Sequence, residues 1–564
     1  MLRWLSKQVG IRFVGQTYYL KPGPARCLYV DSLDARFSSR RFSSCCTKTN
    51  SNESVIADFF APYLNYEQKG VPRNAGTATC EGFDLRPMHV LLKHMGNPHL
   101  SAQAVHIVGT KGKGSTATFI TAVLRAASLR VGLYTSPHVV TIRERISTSP
   151  SGSPIESSTM AALIQEHRGN IAAAQIELGT PPSHFEVLTA LAFAHFANQS
   201  VDVMVVEAGL GGVRDATNVF SSSNLAAAVI TTIDADHLDA LGGSLETVVS
   251  AKAGVMKDGC AVVIGKQVFP AVKSMLQEKA KMYQAIAVDA DEVSVTRTEI
   301  HQHGPDVWEE SSIQWTSSED EGSCGQEVSS PQQKQPHSDP REETCAPRWM
   351  LPNVQFKLVG SHQRSNAAVA VRTLLWLRDN KGFAISDANI QAGLQTATLP
   401  GRFQVLQADN RAPGGSGLVV LDGAHTPAAA EFLAFTLSEV FKHNSIALVV
   451  AMSNDKEHLD ILKNLQKVRA CTIVFTEVKI AGSRTRSTSA DLLLQKWQKA
   501  TRSGVIDSNT ANSCQTSMQV APTMRDAIFA ARLEAGSSGV VCVTGSLHAV
   551  AHARLLCTTE TIEV

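Results

Sequence analysis

Apolar residues in this chain come in short unbroken runs. Ala104–Val108, Val201–Val206 and Leu225–Ile233 are such runs, and the pattern returns at Leu418–Leu421, Ile446–Ala451, Thr472–Phe475 and Val540–Val543. Runs without alternation suit strands covered on both faces, as in a parallel sheet flanked by helices. Helical stretches separate them: Ala117–Ser128 after the first run, and Pro427–Phe441 and Ser489–Lys499 among the later ones. The expected fold class is α/β. The pattern restarts after Pro400-Gly401, so a domain boundary is placed near Leu399–Arg402, with a first domain over 54–398 and a second over 399–564. No internal repeat is evident.

Two stretches depart from this pattern. Residues 1–50 carry Arg3, Arg12, Arg26, Arg36, Arg40 and Arg41 against Asp31 and Asp34, with a Ser-rich segment before Cys45. An Arg-rich, Ser-rich, acid-poor start is the composition of an organelle transit peptide, with mitochondrion preferred over plastid or cytosol and a disordered tail as the alternative. Residues 298–347 lack apolar periodicity and hold Ser-Ser-Glu-Asp-Glu-Gly at 317–322, so they are expected to be a mobile surface insertion.

The 564 residues contain 52 Lys and Arg against 51 Asp and Glu, so no global field draws in nucleic acid or an anionic membrane. Charged residues at 18% and hydrophobic ones at 43% suit a soluble chain with a large core. No apolar run reaches membrane-spanning length. The 11 cysteines include no Cys-x-x-Cys pair and read as thiols of a reducing compartment.

The sharpest chemical signal is Gly109-Thr-Lys-Gly-Lys-Gly-Ser-Thr116, between a strand and a helix. Glycines let backbone N–H groups approach phosphate oxygens, and the following helix N-terminus favours negative charge. Lys113 would pair with the β/γ-phosphates, and Ser115 or Thr116 could reach phosphate or Mg²⁺. Only two residues separate the first glycine from Gly112-Lys113, against four in the standard phosphate loop, so a plain Gly-rich turn stays open. Other strand ends carry polar groups: Ser136 in Tyr134-Thr-Ser-Pro-His138, Glu207 before Ala-Gly-Leu-Gly-Gly212, and His237 in Asp234-Ala-Asp-His237. Open α/β sheets bind ligands at such ends. A hydroxyl, a carboxylate and an imidazole beside phosphate form a plausible hard-cation site.

These motifs, in order, resemble the folylpolyglutamate synthase and dihydrofolate synthase family within the Mur ligase group. Further markers are Arg143-Glu-Arg-Ile146, Glu207 through Asn218, Ala251-Lys-Ala-Gly254, Gly360 through Asn366, Pro400-Gly-Arg-Phe403 and Asp422-Gly-Ala-His425. Segments 237–246, 451–458 and 480–490 are most similar to the dihydrofolate synthase branch of plant type, and Arg214-Asp-Ala216 is similar to the form found in bacterial bifunctional and plant dihydrofolate synthases. Thr426 stands where many relatives have Asn, and Ser250-Ala-Lys252 lacks the Glu often found before this lysine.

The resemblance implies a P-loop-type ATPase domain with a mainly parallel sheet, plus a C-terminal Rossmann-like α/β domain. It implies ATP-dependent ligation of L-glutamate to 7,8-dihydropteroate through an acyl phosphate. The alternatives are a synthase extending tetrahydrofolate with γ-linked glutamates, or a bifunctional enzyme. ATP contacts fall on Gly109, Thr110, Lys111, Gly112, Lys113, Gly114, Ser115, Asn366, Arg402 and Asp422. Mg²⁺ falls on Ser136 and Glu207, with His237 at a second ion. Lys113, Lys252 and His425 take catalytic parts. Lys252 matches a lysine carbamylated in relatives, an ordinary helix lysine being its other reading. Ser183, Phe185, Glu186, Arg214 and Asp215 match stretches bordering the pteroate pocket, although Phe185 reads equally as a core side chain. The expected assembly is a monomer without nucleic-acid or membrane partners.

Overall fold

Unbroken apolar runs become strands buried on both faces. A computed structural model of the chain describes residues 51–79, 82–234, 238–316, 348–503 and 516–558. Residues 1–50, expected to be a transit peptide, lie outside the described residues. Strands β1 (Gln103–Val108), β2 (Val131–Tyr134), β3 (Ile146–Thr148), β4 (Val203–Glu207), β5 (Leu225–Ile230), β6 (Ala261–Ile264) and β7 (Ile286–Asp289) form one sheet. Its order is β3-β2-β4-β1-β5-β6-β7, and only the edge pair β2–β3 is antiparallel. Alternate residues of β1 point to opposite cores: Val105 and Ile107 to one, Ala104 and Val108 to the other. The apolar runs 201–206 and 225–233 therefore hold strands covered on both faces, β4 over Val203–Glu207 and β5 over Leu225–Ile230.

Strands β8 (Val293–His303), β9 (Asp306–Trp315) and β10 (Trp349–Phe356) form a separate antiparallel sheet of order β10-β9-β8. This corrects the expectation of a mobile insertion over 298–347. Residues up to 315 are an ordered hairpin, and 317–347 lie outside the described residues. The buried positions of β9 alternate as Val307, Glu309, Ser311, Ile313 and Trp315. Two of these are polar, which hides the period from a hydropathy reading. Glu309 is 1% exposed and accepts from Arg364 at 2.6 Å, from the Gly360 N–H at 3.2 Å and from the Ser311 hydroxyl at 3.3 Å. Val293, Ile313 and Trp315 pack in the core of the first sheet with Phe119 and Ile120. Ile300 and Val307 pack instead with Phe403, Leu433 and Leu437. The hairpin thus braces both halves of the chain, with Arg297 reaching Glu439 at 3.0 Å.

The second half repeats the logic of the first. Strands β11 (Gln404–Ala408), β12 (Gly417–Leu421), β13 (Ile446–Val450), β14 (Thr472–Phe475), β15 (Ser517–Val520) and β16 (Val540–Thr544) form a sheet of order β11-β12-β16-β13-β14-β15. Only the edge strand β11 runs antiparallel. Residues 427–440 and 490–503 are among the helices that flank it. The α/β class and the mainly parallel sheets expected from the apolar runs are the architecture found. Among the described residues no helix is long and apolar enough to cross a membrane, and Cys260, Cys471, Cys542 and Cys557 are free.

Candidate active site

The carboxyl ends of β1, β2, β4, β5 and β12 open onto one cleft of about 2760 Å³. After β1 the chain turns through Gly109 (φ 152°) and Gly112 (φ 88°), and the helix Lys113–Ala126 begins four residues earlier than the apolar pattern alone indicates. The glycines are required by packing as well as by φ. A Cβ on Gly109 would stand 1.8 Å from Thr231 Oγ1, and one on Gly112 would stand 2.1 Å from Asn366 Oδ1. Asn366, on the helix Ser361–Lys381, therefore closes directly on the loop and is held by Gln363 at 3.0 Å. Thr110 and Lys111 are tied to the β5 end. The Thr110 hydroxyl meets the Asp234 backbone, and Lys111 Nζ pairs with the Asp234 carboxylate at 2.5 Å.

Glu207 ends β4 and is 4% exposed. Its carboxylate accepts the Ser136 N–H at 3.1 Å and lies 3.8 Å from Lys113 Nζ. Burial pushes its carboxyl above the usual range, opposed by Lys113, the Ser136 N–H, Arg402 and Arg145. A buried carboxylate with one distant ammonium is a hard oxygen donor that additional positive charge would stabilise, which fits a divalent cation. No cluster of three His, Cys, Asp or Glu suited to a metal occurs among the described residues. His237 lies outside them. Lys252, 3% exposed, donates its amine to the Gly109 carbonyl at 2.8 Å, against the glycine-rich loop.

The second half supplies the facing wall. Asp422, at the β12 end, accepts the Phe403 N–H at 2.7 Å and the Ala424 N–H at 2.9 Å. Burial raises its carboxyl, with Arg402 the largest opposing influence. Arg402 and His425 line the same cleft, and His425 Nδ1 meets the Gly423 carbonyl at 2.7 Å.

The residues assigned to the pteroate side also line this cleft, but three of them carry local structural duties. Ser183 and Glu186 form a reciprocal capping box on the helix His184–Asn198, the Ser183 N–H reaching Glu186 at 2.6 Å. Asp215 accepts from the Leu210 N–H at 2.7 Å, the Thr217 N–H at 3.0 Å and the Thr217 hydroxyl at 2.5 Å. Because Thr217 donates to Asp215, its oxygen accepts from His106 Nε2 at 2.8 Å. Burial first and Lys257 second hold the His106 imidazole, in the middle of β1, at about 3, so it is neutral near pH 7. The chain His106–Thr217–Asp215 pins the glycine loop that carries Arg214, which pairs with none of the described residues. Phe185 lies over Gly209, where a Cβ would be 2.8 Å from its ring.

Sequence reasoning missed a second cluster. Arg145, 1% exposed, donates to Glu67 at 2.6 Å and to His138 Nδ1 at 2.9 Å. Arg145 and His138 stand in marker motifs, but Glu67 sits in a short helix with no motif around it.

Two family models match the chain: the Mur ligase middle domain over residues 107–374 and the glutamate ligase domain of Mur ligases over 401–547. A Bacillus subtilis protein named dihydrofolate synthase/folylpolyglutamate synthase is 33% identical over 383 residues, 68% of this chain and 78% of its own length. A probable dihydrofolate synthetase of Schizosaccharomyces pombe is 30% identical over 469 residues, 82% of this chain and 95% of its own. A solved Mycobacterium tuberculosis folylpolyglutamate synthase complexed with ADP superposes with a TM-score of 0.69 at 27% identity, covering 90% of this chain and 100% of the other.

Proposed function

This chain belongs to the dihydrofolate synthase/folylpolyglutamate synthase family of Mur ligases, ATP-dependent amino-acid ligases, and from that premise we propose that it joins L-glutamate to 7,8-dihydropteroate to give 7,8-dihydrofolate. The observation carrying this reading is the single cleft that gathers the loop 109–115, Glu207, Arg402, Asp422 and His425. The preference for dihydropteroate over a folate rests on the likeness of residues 207–218, 237–246 and 480–490 to the dihydrofolate synthase branch.

A free carboxylate has no good leaving group at neutral pH, so ATP must first convert it to an acyl phosphate, which the glutamate amine then attacks. Phosphoryl transfer demands alignment and charge neutralisation more than covalent help from the protein. In our reading Lys113 and the N–H groups of 109–115 hold the triphosphate, and Thr110 and Lys111 brace that loop against Asp234. Asn366, Arg402 and Asp422 complete the nucleotide site, Asp422 towards ribose. Ser136 and Glu207 are the residues to hold Mg²⁺, with His237 for a second ion; the metal supplies charge neutralisation between phosphate and carboxylate. Lys252, at the Gly109 carbonyl, is placed to bear a carbamate or to tie down the loop as an amine. Arg214 and Phe185 orient the pteroate, while Ser183, Glu186 and Asp215 shape the pocket wall. Contacts from both halves exclude water once the cleft closes.

The test is a mass-spectrometric time course with protein lacking residues 1–50, given dihydropteroate and then tetrahydrofolate. We expect one glutamate on dihydropteroate and no further addition. Efficient di- and triglutamate formation from tetrahydrofolate would move the chain to the folylpolyglutamate or bifunctional class. Residues 1–50 are further proposed as a mitochondrial transit peptide; a reporter fused to them should enter mitochondria, and a cytosolic or plastid signal would refute this.

A further inference from the structure

The segment 480–490, which marks the branch by sequence, contributes Ile480, Ala481 and Arg486 to the cleft wall. It also makes one contact unlike those of a cleft lining. Arg486 Nη1 donates to the Glu67 carbonyl at 2.8 Å and the Gln68 carbonyl at 3.3 Å. Both acceptors belong to the four-residue helix Tyr66–Lys69, whose last carbonyls have no intrahelical partner. A guanidinium is a favourable cap there in both charge and geometry.

Arg486 is itself fixed from its own side. The Asn454 N–H donates to the Arg486 carbonyl at 3.0 Å, and the Asn454 side chain reaches the Thr485 carbonyl at 3.0 Å. The Ala481 N–H donates to His548 Nε2 at 3.2 Å. The far side of the contact leads inward. The Glu67 carboxylate takes Arg145 Nη2, and Arg145 Nε donates to His138 Nδ1. An arginine Nε can only donate, so His138 Nδ1 accepts from it. His138 stands two residues from Ser136, whose N–H binds Glu207. A continuous set of hydrogen bonds and short chain segments thus runs from the second half's loop to the carboxylate beside Lys113.

We propose that Arg486 is a positioning residue that latches the second half onto the Glu67 helix, and that Arg145 and His138 relay this seating to Ser136 and Glu207. The inference rests on the acyl-phosphate reading above but not on which pterin is the acceptor. Its function is to keep water away during the lifetime of the acyl phosphate. With the latch open, water attacks the acyl carbon and the carbon–oxygen bond to phosphate breaks. The starting carboxylate returns, and one ATP is spent as ADP and phosphate without an amide.

The experiment measures ADP formed per glutamylated product in the full chain, with whichever of dihydropteroate and tetrahydrofolate the wild type glutamylates. The latch and the choice of acceptor therefore fail separately. Wild type should give close to one ADP per amide. Arg486→Ala should raise that ratio about threefold or more, because closure of the second half over the intermediate is lost. Arg486→Lys should restore part of the coupling through a single ammonium donor, and Glu67→Gln should uncouple in the same direction but less. A merely structural contact would lower melting temperature and leave the ratio at one. If Arg486→Ala does not fold, Arg486→Lys and Glu67→Gln carry the same readout. A wild-type ratio in the folded variants would overturn the proposal.

Discussion

Glu309 offers a test of whether the hairpin β8–β9 braces the molecule. Its side chain is 1% exposed, against 23% for Arg364, its partner at 2.6 Å. Replacement by leucine removes the charge and leaves the Arg364 guanidinium and the Gly360 N–H without their acceptor. Breaking a buried pair from one side costs about 3–5 kcal/mol, and the partial access of water to Arg364 places this case near the lower figure, ~3 kcal/mol. Units of 150–250 residues lose ~2–4 °C per kcal/mol, and the larger unit here should lose roughly 5 °C in all. Gly360 opens the helix that carries Asn366 onto Gly112, so the KM for ATP should rise as well. Thermal denaturation and ATP kinetics of Glu309→Leu, with Glu309→Gln as the milder control, provide the assay. A melting temperature within about 1 °C of wild type would refute the strut, since no buried charge would then have been stranded.

Two further outcomes follow from the site. Lys113→Ala should abolish ATP-dependent turnover in a protein that still folds, because it removes charge from the loop and no core volume, its stability cost being confined to the ammonium 3.8 Å from Glu207; near-normal activity would contradict the phosphate-loop role. His106 in the fold is held at about 3 against about 6.5 when unfolded, so its contribution is fully present above pH 6.5 and is lost as pH falls towards 3. Unfolding takes up one proton at this residue over that window, a slope of about 1.4 kcal/mol per pH unit. Denaturant titrations between pH 4 and 6 should show a shallower acid decline for His106→Gln than for wild type, and parallel declines would show that the imidazole is not neutral in the fold.

The parts of this molecule legible in its sequence are those where one physical demand dominates. Strands β1, β4, β5, β12, β13, β14 and β16 are buried on both faces, so they read as apolar runs. The half-exposed edges β7 and β15 and the three-residue β3 carry no such run. Helix Lys113–Ala126 starts in Lys-Gly-Ser-Thr because its first turn faces the cleft instead of the core, which pushed the sequence-based start to Ala117. The hairpin was misread because Glu309 and Ser311 occupy buried positions and are satisfied by partners some fifty residues away or two residues along. Asp215 is typical of a residue whose type suggests a ligand contact while its oxygens already serve Leu210 and Thr217. The Arg486 contact left no trace, since its acceptors are backbone carbonyls 419 and 418 positions away and any residue type supplies one.

The central claim is that the acceptor carboxylate of dihydropteroate passes through an acyl phosphate in this cleft. Dihydropteroate labelled with ¹⁸O in both carboxylate oxygens, ATP and L-glutamate should be turned over by the purified enzyme and the released phosphate analysed by mass spectrometry. One carboxylate oxygen bridges to phosphorus in the intermediate and leaves with it when the amine attacks. The account therefore predicts one ¹⁸O in each phosphate and the other in the new amide carbonyl. Unlabelled phosphate released alongside labelled dihydrofolate would contradict it.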